Sequence, residues 1–246
     1  MLTIFAHPDD TEFVCGGTLA LWASKGRRLV FAFCTDGSKG TSDLTMDAAR
    51  LVRARQEEQR AAAKVLGCDE VVFLTYPDAL LEPSIPLRRD LTRLIRQYRP
   101  ETVVCFDPTV YWLGDYYLQH PDHRASGEAA LAAVFPSARD RLTFPELFAE
   151  GLQPHNVEEV FLASPATGQA NRWVDVSSVL DRKAEAMLCH KSQVGDAERT
   201  GAMLRAFARM NGEQKGLDAA ETYRVINLRP RSLPGMEAGN PPTSAS

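Results

Sequence analysis

Cysteine is sparse in this chain, and none of it is arranged to bridge or to bind. The five residues, Cys15, Cys34, Cys68, Cys105 and Cys189, are odd in number, scattered, and never spaced as CxxC. That pattern speaks against a disulfide scaffold and a thiolate zinc site, and it points to a reducing compartment. Long apolar runs are missing too, since none approaches the ~20 residues that a membrane span requires. The chain opens on Leu2-Thr3-Ile4-Phe5-Ala6 with no basic segment ahead of an apolar one, so no secretory leader is read there. A cytoplasmic protein without membrane insertion is expected. Charge of one sign is also lacking. A net −4 over 246 residues gives no field that would gather nucleic acid or anionic lipid.

What is present is material for a core. Hydrophobic residues make up 44% of the chain, and a single α/β domain over residues 1–229 is expected. Short apolar runs alternate with helical patterns, as parallel strands do when helices carry the crossovers. Strands are expected at Leu2–Ala6, Leu29–Thr35, Val71–Leu74 and Thr102–Phe106. Helices are expected at Thr11–Lys25, Met46–Leu66 and Leu87–Tyr98, the first two closed by Gly26 and Gly67. Another opens at Pro121, whose missing N–H is not needed in a first turn. After Phe135 the pattern thins to strands at Val157–Leu162, Trp173–Val176 and Tyr223–Leu228 and a helix at Val179–His190. Residues 230–246, rich in Pro, Gly, Ser and Thr, read as a flexible tail.

Two tetrapeptides carry the chemistry. His7-Pro8-Asp9-Asp10 and His120-Pro121-Asp122-His123 each follow an apolar run and precede a helical pattern. Each sets two potential metal ligands three residues apart, where the chain leaves a sheet and turns into a helix. In a doubly wound sheet ordered three, two, one, four, five, strands one and four are neighbours where the winding reverses. Ligands bind beyond their carboxyl ends. On that order the two tetrads face each other across one crevice. A lone histidine at a helix start is ordinarily a cap or a surface residue, but two such tetrads at one crevice make a metal site. Neutral imidazole and carboxylate suit zinc, whose catalytic sites keep three protein ligands and a water. His7 and Asp10 would supply two ligands and a histidine of the second tetrad the third. Asp9 and Asp10 are adjacent, so one can ligate while the other stays near the bound water as a base.

Other signals are weaker. The loop Asp36–Thr41 lacks a phosphate-loop pattern and reads as a strand-to-helix turn. Gly16-Gly17 is no dinucleotide fingerprint and reads as close helix packing. Arg50, Arg53, Arg55 and Arg60 with Glu57 and Glu58 read as a solvated face, with Arg55 or Glu58 placed to reach the crevice. Asp78 is a hydroxyl binder or a turn residue. The aromatic loop with Tyr111, Trp112, Tyr116 and Tyr117 is a lid, a sugar-stacking wall or an interface patch. His155 and Cys15 read as structural.

These motifs resemble those of the LmbE-like (PIG-L) family of zinc-dependent de-N-acetylases. Ala6-His7-Pro8-Asp9-Asp10-Thr11-Glu12-Phe13, with Cys15-Gly16-Gly17-Thr18-Leu19, looks like the family's first motif, and His120-Pro121-Asp122-His123-Arg124-Ala125 like its second. Weaker echoes are Asp36-Gly37 with Gly40-Thr41, Arg55 with Glu58, Leu66-Gly67, and His190-Lys191-Ser192-Gln193. The likeness implies a Rossmann-like, mostly parallel sheet with helices on both faces and the site at the C-terminal ends of strands one and four. It implies zinc on His7, Asp10 and His123, with Fe2+ as another divalent candidate, and Asp9 as general base. His120 would stabilise the oxyanion or protonate the leaving amine. Arg55, Glu58, Asp78 and His190 would contact substrate. The implied reaction is hydrolysis of an N-acetyl group, usually on an N-acetylglucosamine unit, to acetate and a free amine. A small N-acetylated sugar would then be the partner, with homo-oligomers common in the family. The chain departs from some members in carrying Leu118 and Gln119, not tyrosine, just ahead of His120. Two rivals remain on the residues alone. Two histidines and a carboxylate also make the facial triad of non-haem iron enzymes, and a non-catalytic sugar-binding module could keep a structural metal.

Overall fold

The computed structural model describes residues 1–164 and 168–229; the expected tail, 230–246, lies outside them. In chain order the first half contains β1 (Leu2–Phe5), α1 (Asp10–Ser24), β2 (Val30–Thr35), α2 (Ala48–Leu66), β3 (Glu70–Tyr76), α3 (Ile85–Tyr98) and β4 (Thr102–Phe106). A two-stranded hairpin follows, β5 (Trp112–Leu113) with β6 (Tyr117–Leu118), and then α4 (Pro121–Ala132) and α5 (Pro145–Ala149). The chain continues through β7 (Glu159–Ala163), β8 (Arg172–Asp175), α6 (Leu180–Met187), α7 (Ala197–Glu213) and β9 (Ala220–Asn227).

Seven of the strands form one sheet in the order β3-β2-β1-β4-β7-β9-β8. The first five run parallel, and β9 and β8 add an antiparallel edge. The fold is α/β and Rossmann-like, with helices on both faces. Its central strands β1, β2 and β4 are buried along their whole length, which is why they read as unbroken apolar runs. Successive side chains still part to opposite faces. Leu2, Ile4, Val30, Ala32, Val103 and Cys105 pack with Leu87, Leu91 and Ile95 of α3 and Ala129 and Ala130 of α4. Phe5, Phe31, Phe33, Val104 and Phe106 pack on the other face with Leu19 of α1 and Ala62 and Leu66 of α2.

The helices begin and end where their caps dictate. Asp47 accepts the Arg50 N–H to open α2, and Gly67 closes it at φ 81°, a conformation that favours glycine. Gly16-Gly17 serves close packing as expected. A Cβ on Gly17 would lie 2.8 Å from the Val176 Cβ, so only a glycine lets α1 approach this closely. Two expected strands are longer in the structure, β3 at both ends of 71–74 and β9 from Ala220 rather than Tyr223, and α5, α7 and the β5–β6 hairpin have no counterpart in the expected pattern. No helix among the described residues is long and apolar enough to cross a membrane.

Candidate metal centre and active site

Strands β1 and β4 pair directly, from Leu2 opposite Val103 to Ile4 opposite Cys105. The turns that leave them therefore emerge side by side. The imidazole centres of His7 and His120 lie 4.7 Å apart, and those of His7 and His123 5.3 Å. One nitrogen from each of these three histidines falls within 4.8 Å of the others. The tetrads meet.

His7 is held on every side. Its Nε2 lies 3.1 Å from Asp78 Oδ1 and 3.2 Å from Asp122 Oδ2, and its Nδ1 lies 3.5 Å from Asp10 Oδ2. Asp122 also accepts the backbone N–H groups of Ala79 and Leu81, at 2.8 and 3.2 Å, so its carboxylate is fixed as an acceptor. A neutral His7 accordingly keeps its proton on Nε2 and turns a lone pair on Nδ1 toward Asp10. Asp10 meets the second tetrad through its other oxygen, with Oδ1 3.0 Å from His123 Nε2. One carboxylate thus lies between a nitrogen of His7 and a nitrogen of His123.

The donor set fits a cation. Two donors that share a tetrahedral zinc at its usual bond lengths stand roughly 3.3 Å apart; His7 Nδ1 lies 3.5 Å from one oxygen of Asp10 and His123 Nε2 lies 3.0 Å from the other. Charge leads to the same place, because four carboxylates, of Asp9, Asp10, Asp78 and Asp122, gather here, and the Arg55 guanidinium reaches two of them, Asp9 at 3.2 Å and Asp78 at 3.7 Å. Burial alone would lower the pKa of His7, but the carboxylates of Asp10, Asp122 and Asp78 outweigh it and push the ring up to about 12. Asp10 is likewise held far below the carboxylate range, its burial outweighed by His123 and His7.

Asp9 occupies a strained position at the start of α1. Its φ of 102° is left-handed, a region that costs a non-glycine residue about 1–3 kcal/mol. Neighbours hold it there. Its N–H donates to Gln59 Oε1 at 2.9 Å, and Arg55 Nη2 reaches Pro8 O at 2.7 Å and Asp9 Oδ2 at 3.2 Å. Behind them Gln59 Nε2 donates to Glu12 Oε1 at 2.8 Å, and His190 Nε2 lies 3.3 Å from Glu12 Oε2. Burial, with repulsion from Asp10, raises the Asp9 carboxyl to about 6 against the pull of Arg55.

His120 caps α4. Its Nδ1 accepts the Asp122 N–H at 3.1 Å, which leaves the proton of the neutral ring on Nε2. Its side chain is 38% exposed, far more than that of His7. Burial and the charge on His7 lower its pKa.

Of the residues expected from sequence, His7, Asp9, Asp10, His120 and His123 converge, with Arg55 and Asp78 against them. Each of the four residues expected to contact substrate also has a partner within the protein. Arg55 holds Pro8 and Asp9, and Asp78 holds His7 and the Lys39 N–H. Glu58 receives the N–H and hydroxyl of Ser192, at 2.8 and 2.7 Å, and so tethers the segment after α6. His190 is fully buried against Glu12. His155 is structural, with Nε2 2.9 Å from Pro100 O, and Cys15 lies in the core. Four residues went unassigned: Asp122, Glu12, Gln59 and Gln119. Gln59 was within reach of sequence reasoning, since it stands one turn beyond Arg55 on the same helix face.

The family profile described as GlcNAc-PI de-N-acetylase, PIG-L, matches residues 2–134, which include both tetrads. The chain belongs to that family. It is 32% identical over 228 residues to a diacetylchitobiose deacetylase of Thermococcus kodakarensis, covering 92% of this chain and 82% of the relative. It is 29% identical over 243 residues to a 1D-myo-inositol 2-acetamido-2-deoxy-alpha-D-glucopyranoside deacetylase of Rhodococcus erythropolis, covering 79% and 81%. Among solved structures, the N,N'-diacetylchitobiose deacetylase of Pyrococcus horikoshii, complexed with an inhibitor, superposes with a TM-score of 0.84 at 31% identity. That match covers 92% of this chain and 83% of the other. A 4-carboxy-2-hydroxymuconate hydratase of Pseudomonas putida, 22% identical with a TM-score of 0.77 and covering 94% and 98%, shares the fold alone. This PIG-L protein is an enzyme, a hydrolase of amide C–N bonds, as its deacetylase relatives are.

Proposed function

We propose that the protein is a zinc-dependent hydrolase that removes the N-acetyl group from an N-acetylglucosamine unit of a small sugar or sugar conjugate. The products are acetate and a free amine. The reading rests chiefly on one observation: the Asp10 carboxylate lies between a nitrogen of His7 and a nitrogen of His123, with Asp9 at its side. His7, Asp10 and His123 would hold the ion, and Asp9 and His120 would be the catalytic residues. Bound there, zinc supplies a Lewis acid for the amide oxygen and an acidified water.

The chain's own groups carry the rest. Asp9, raised to about 6, is ionised at neutral pH yet basic enough to take the proton of the attacking water. That proton can pass on to the departing sugar nitrogen, which returns Asp9 to its starting state. His120 offers its Nε2–H to the carbonyl oxygen as negative charge builds there. The N-termini of α1 and α4 add a positive field at the same end of the sheet. The exposed aromatic residues Tyr111, Trp112 and Tyr116, beside the second tetrad, offer faces on which a sugar ring can stack.

The test is a panel of N-acetylated sugars, N-acetylglucosamine and N,N'-diacetylchitobiose included, assayed for released amine with and without chelator. Release that chelator abolishes and zinc restores supports the proposal. No release from any member of the panel, or turnover that needs iron and dioxygen, overturns it.

A further inference from the structure

We propose that Gln119 is the positioning residue that fixes which nitrogen of His123 is free to face a cation, an inference that rests on the metal-site reading above. Gln119 joins the β5–β6 hairpin to α4 and is 5% exposed. Its backbone is pinned at both ends. The N–H donates to Tyr111 O at 2.9 Å, and the carbonyl accepts from Arg124 Nη1 at 2.9 Å. The Arg124 guanidinium in turn lies 4.5 Å from the centre of the Tyr111 ring. The side-chain amide is therefore delivered to one place. There a single atom takes three contacts: the His120 backbone N–H at 3.3 Å, the Tyr117 hydroxyl at 3.0 Å and His123 Nδ1 at 3.1 Å.

The partners decide what that atom is. Oxygen and nitrogen of a side-chain amide have nearly the same shape, so their assignment follows from what faces them. A backbone N–H can only donate, so the atom facing His120 is the carbonyl oxygen. An oxygen facing His123 Nδ1 requires the ring proton on Nδ1. In the neutral ring the lone pair then sits on Nε2, the nitrogen 3.0 Å from Asp10 Oδ1. A lone pair set against a carboxylate is repulsive until a cation joins them. Without Gln119 the ring could adopt the other tautomer, donate Nε2–H to Asp10, and close a hydrogen bond that competes with the ion. Gln119 opposes that closed arrangement, as acceptors on the far nitrogen of ligating histidines generally do.

Cobalt(II) binding to the full chain, read from its visible spectrum in competition with a chelator, tests this without any substrate. Gln119→Leu is expected to weaken Co2+ binding about 10- to 100-fold. Gln119→Glu keeps an acceptor for all three donors and is expected to restore binding to within a few-fold of the parent. Binding unchanged in Gln119→Leu, or equally weak in both variants, overturns the proposal. Should Gln119→Leu fail to fold, 15N shifts of the His123 ring in the parent protein decide alone: a proton on Nδ1 supports the assignment, and one on Nε2 alone overturns it. If the parent takes up no cobalt, the metal-site reading fails, and the tautomer of the neutral ring still judges Gln119.

Discussion

Asp9 and Asp10 are chemically identical neighbours driven to opposite ends of the carboxylate range. Asp10 faces two imidazoles and is held down, whereas Asp9 is half-buried beside a like charge and drawn up to about 6. Environment assigns their roles, and two outcomes follow. Asp9→Asn should lower kcat about 10²–10⁴-fold, the usual range for a general base, while metal content measured by atomic absorption stays at the parent level. Equal activity in the two proteins would remove Asp9 as the base. The pH profile carries the sign of the shift. The ionised carboxylate is the working form, so the rate should be full above about 6 and decline as pH falls through that value. A rate that rises on acidification would contradict the assignment. His7→Ala and His123→Ala should instead reduce metal occupancy, each leaving Asp10 with one imidazole partner; full occupancy in both would exclude them as ligands.

At the scale of elements, the position of the second tetrad depends on how closely α4 lies against β4. A Cβ on Gly127 would come within 2.5 Å of the Phe106 carbonyl oxygen, a backbone atom that cannot step aside. Gly127→Ala should therefore destabilise the fold by about 1–3 kcal/mol, as overpacking does, and displace His120 and His123 together. Thermal melting and Co2+ affinity should both fall; a parent-like melt would show that the contact relaxes freely. The same elements show what the sequence could reveal. Strands β1, β2 and β4 were legible because burial on both faces demands unbroken apolar runs, and both tetrads were legible because they sit where those strands end. Helix α7 was not. Its buried positions are Gly201, Leu204, Ala208 and Gly212, mostly small residues that leave little apolar stripe to read. The role of Asp122 is not legible in its motif, because its partners, His7 and the N–H groups of Ala79 and Leu81, come from remote segments. The partners of Glu58 and His190, Ser192 and Glu12, come from remote segments, which spacing in the sequence cannot show.

At the scale of the molecule, a buried ion pair ties the end of the described chain to its beginning. Lys183 Nζ on α6 lies 2.6 Å from Glu221 Oε1 on β9, and Glu221 also accepts the N–H groups of Gly17 and Thr18 within α1. Removing one partner, as in Lys183→Met, leaves an uncompensated buried charge and should cost about 3–5 kcal/mol in denaturant unfolding. Burial would raise the Glu221 carboxyl, but Lys183 and those hydrogen bonds hold it below its ordinary value of 4.5. Its folded pKa is the lower one, so its contribution is intact above about 4.5 and drains away as pH falls through the folded value. Melting temperature should fall on acidification below that point, and Glu221→Gln should flatten the slope; an identical slope in the variant would refute the linkage. The adjacency of β1 and β4 bears on how the protein is made. His7 leaves the ribosome ahead of Asp122, which lies 115 residues behind it. Until translation has delivered that second segment, the nascent chain holds one of the three imidazoles of the cluster, so the crevice cannot assemble before the second tetrad is made.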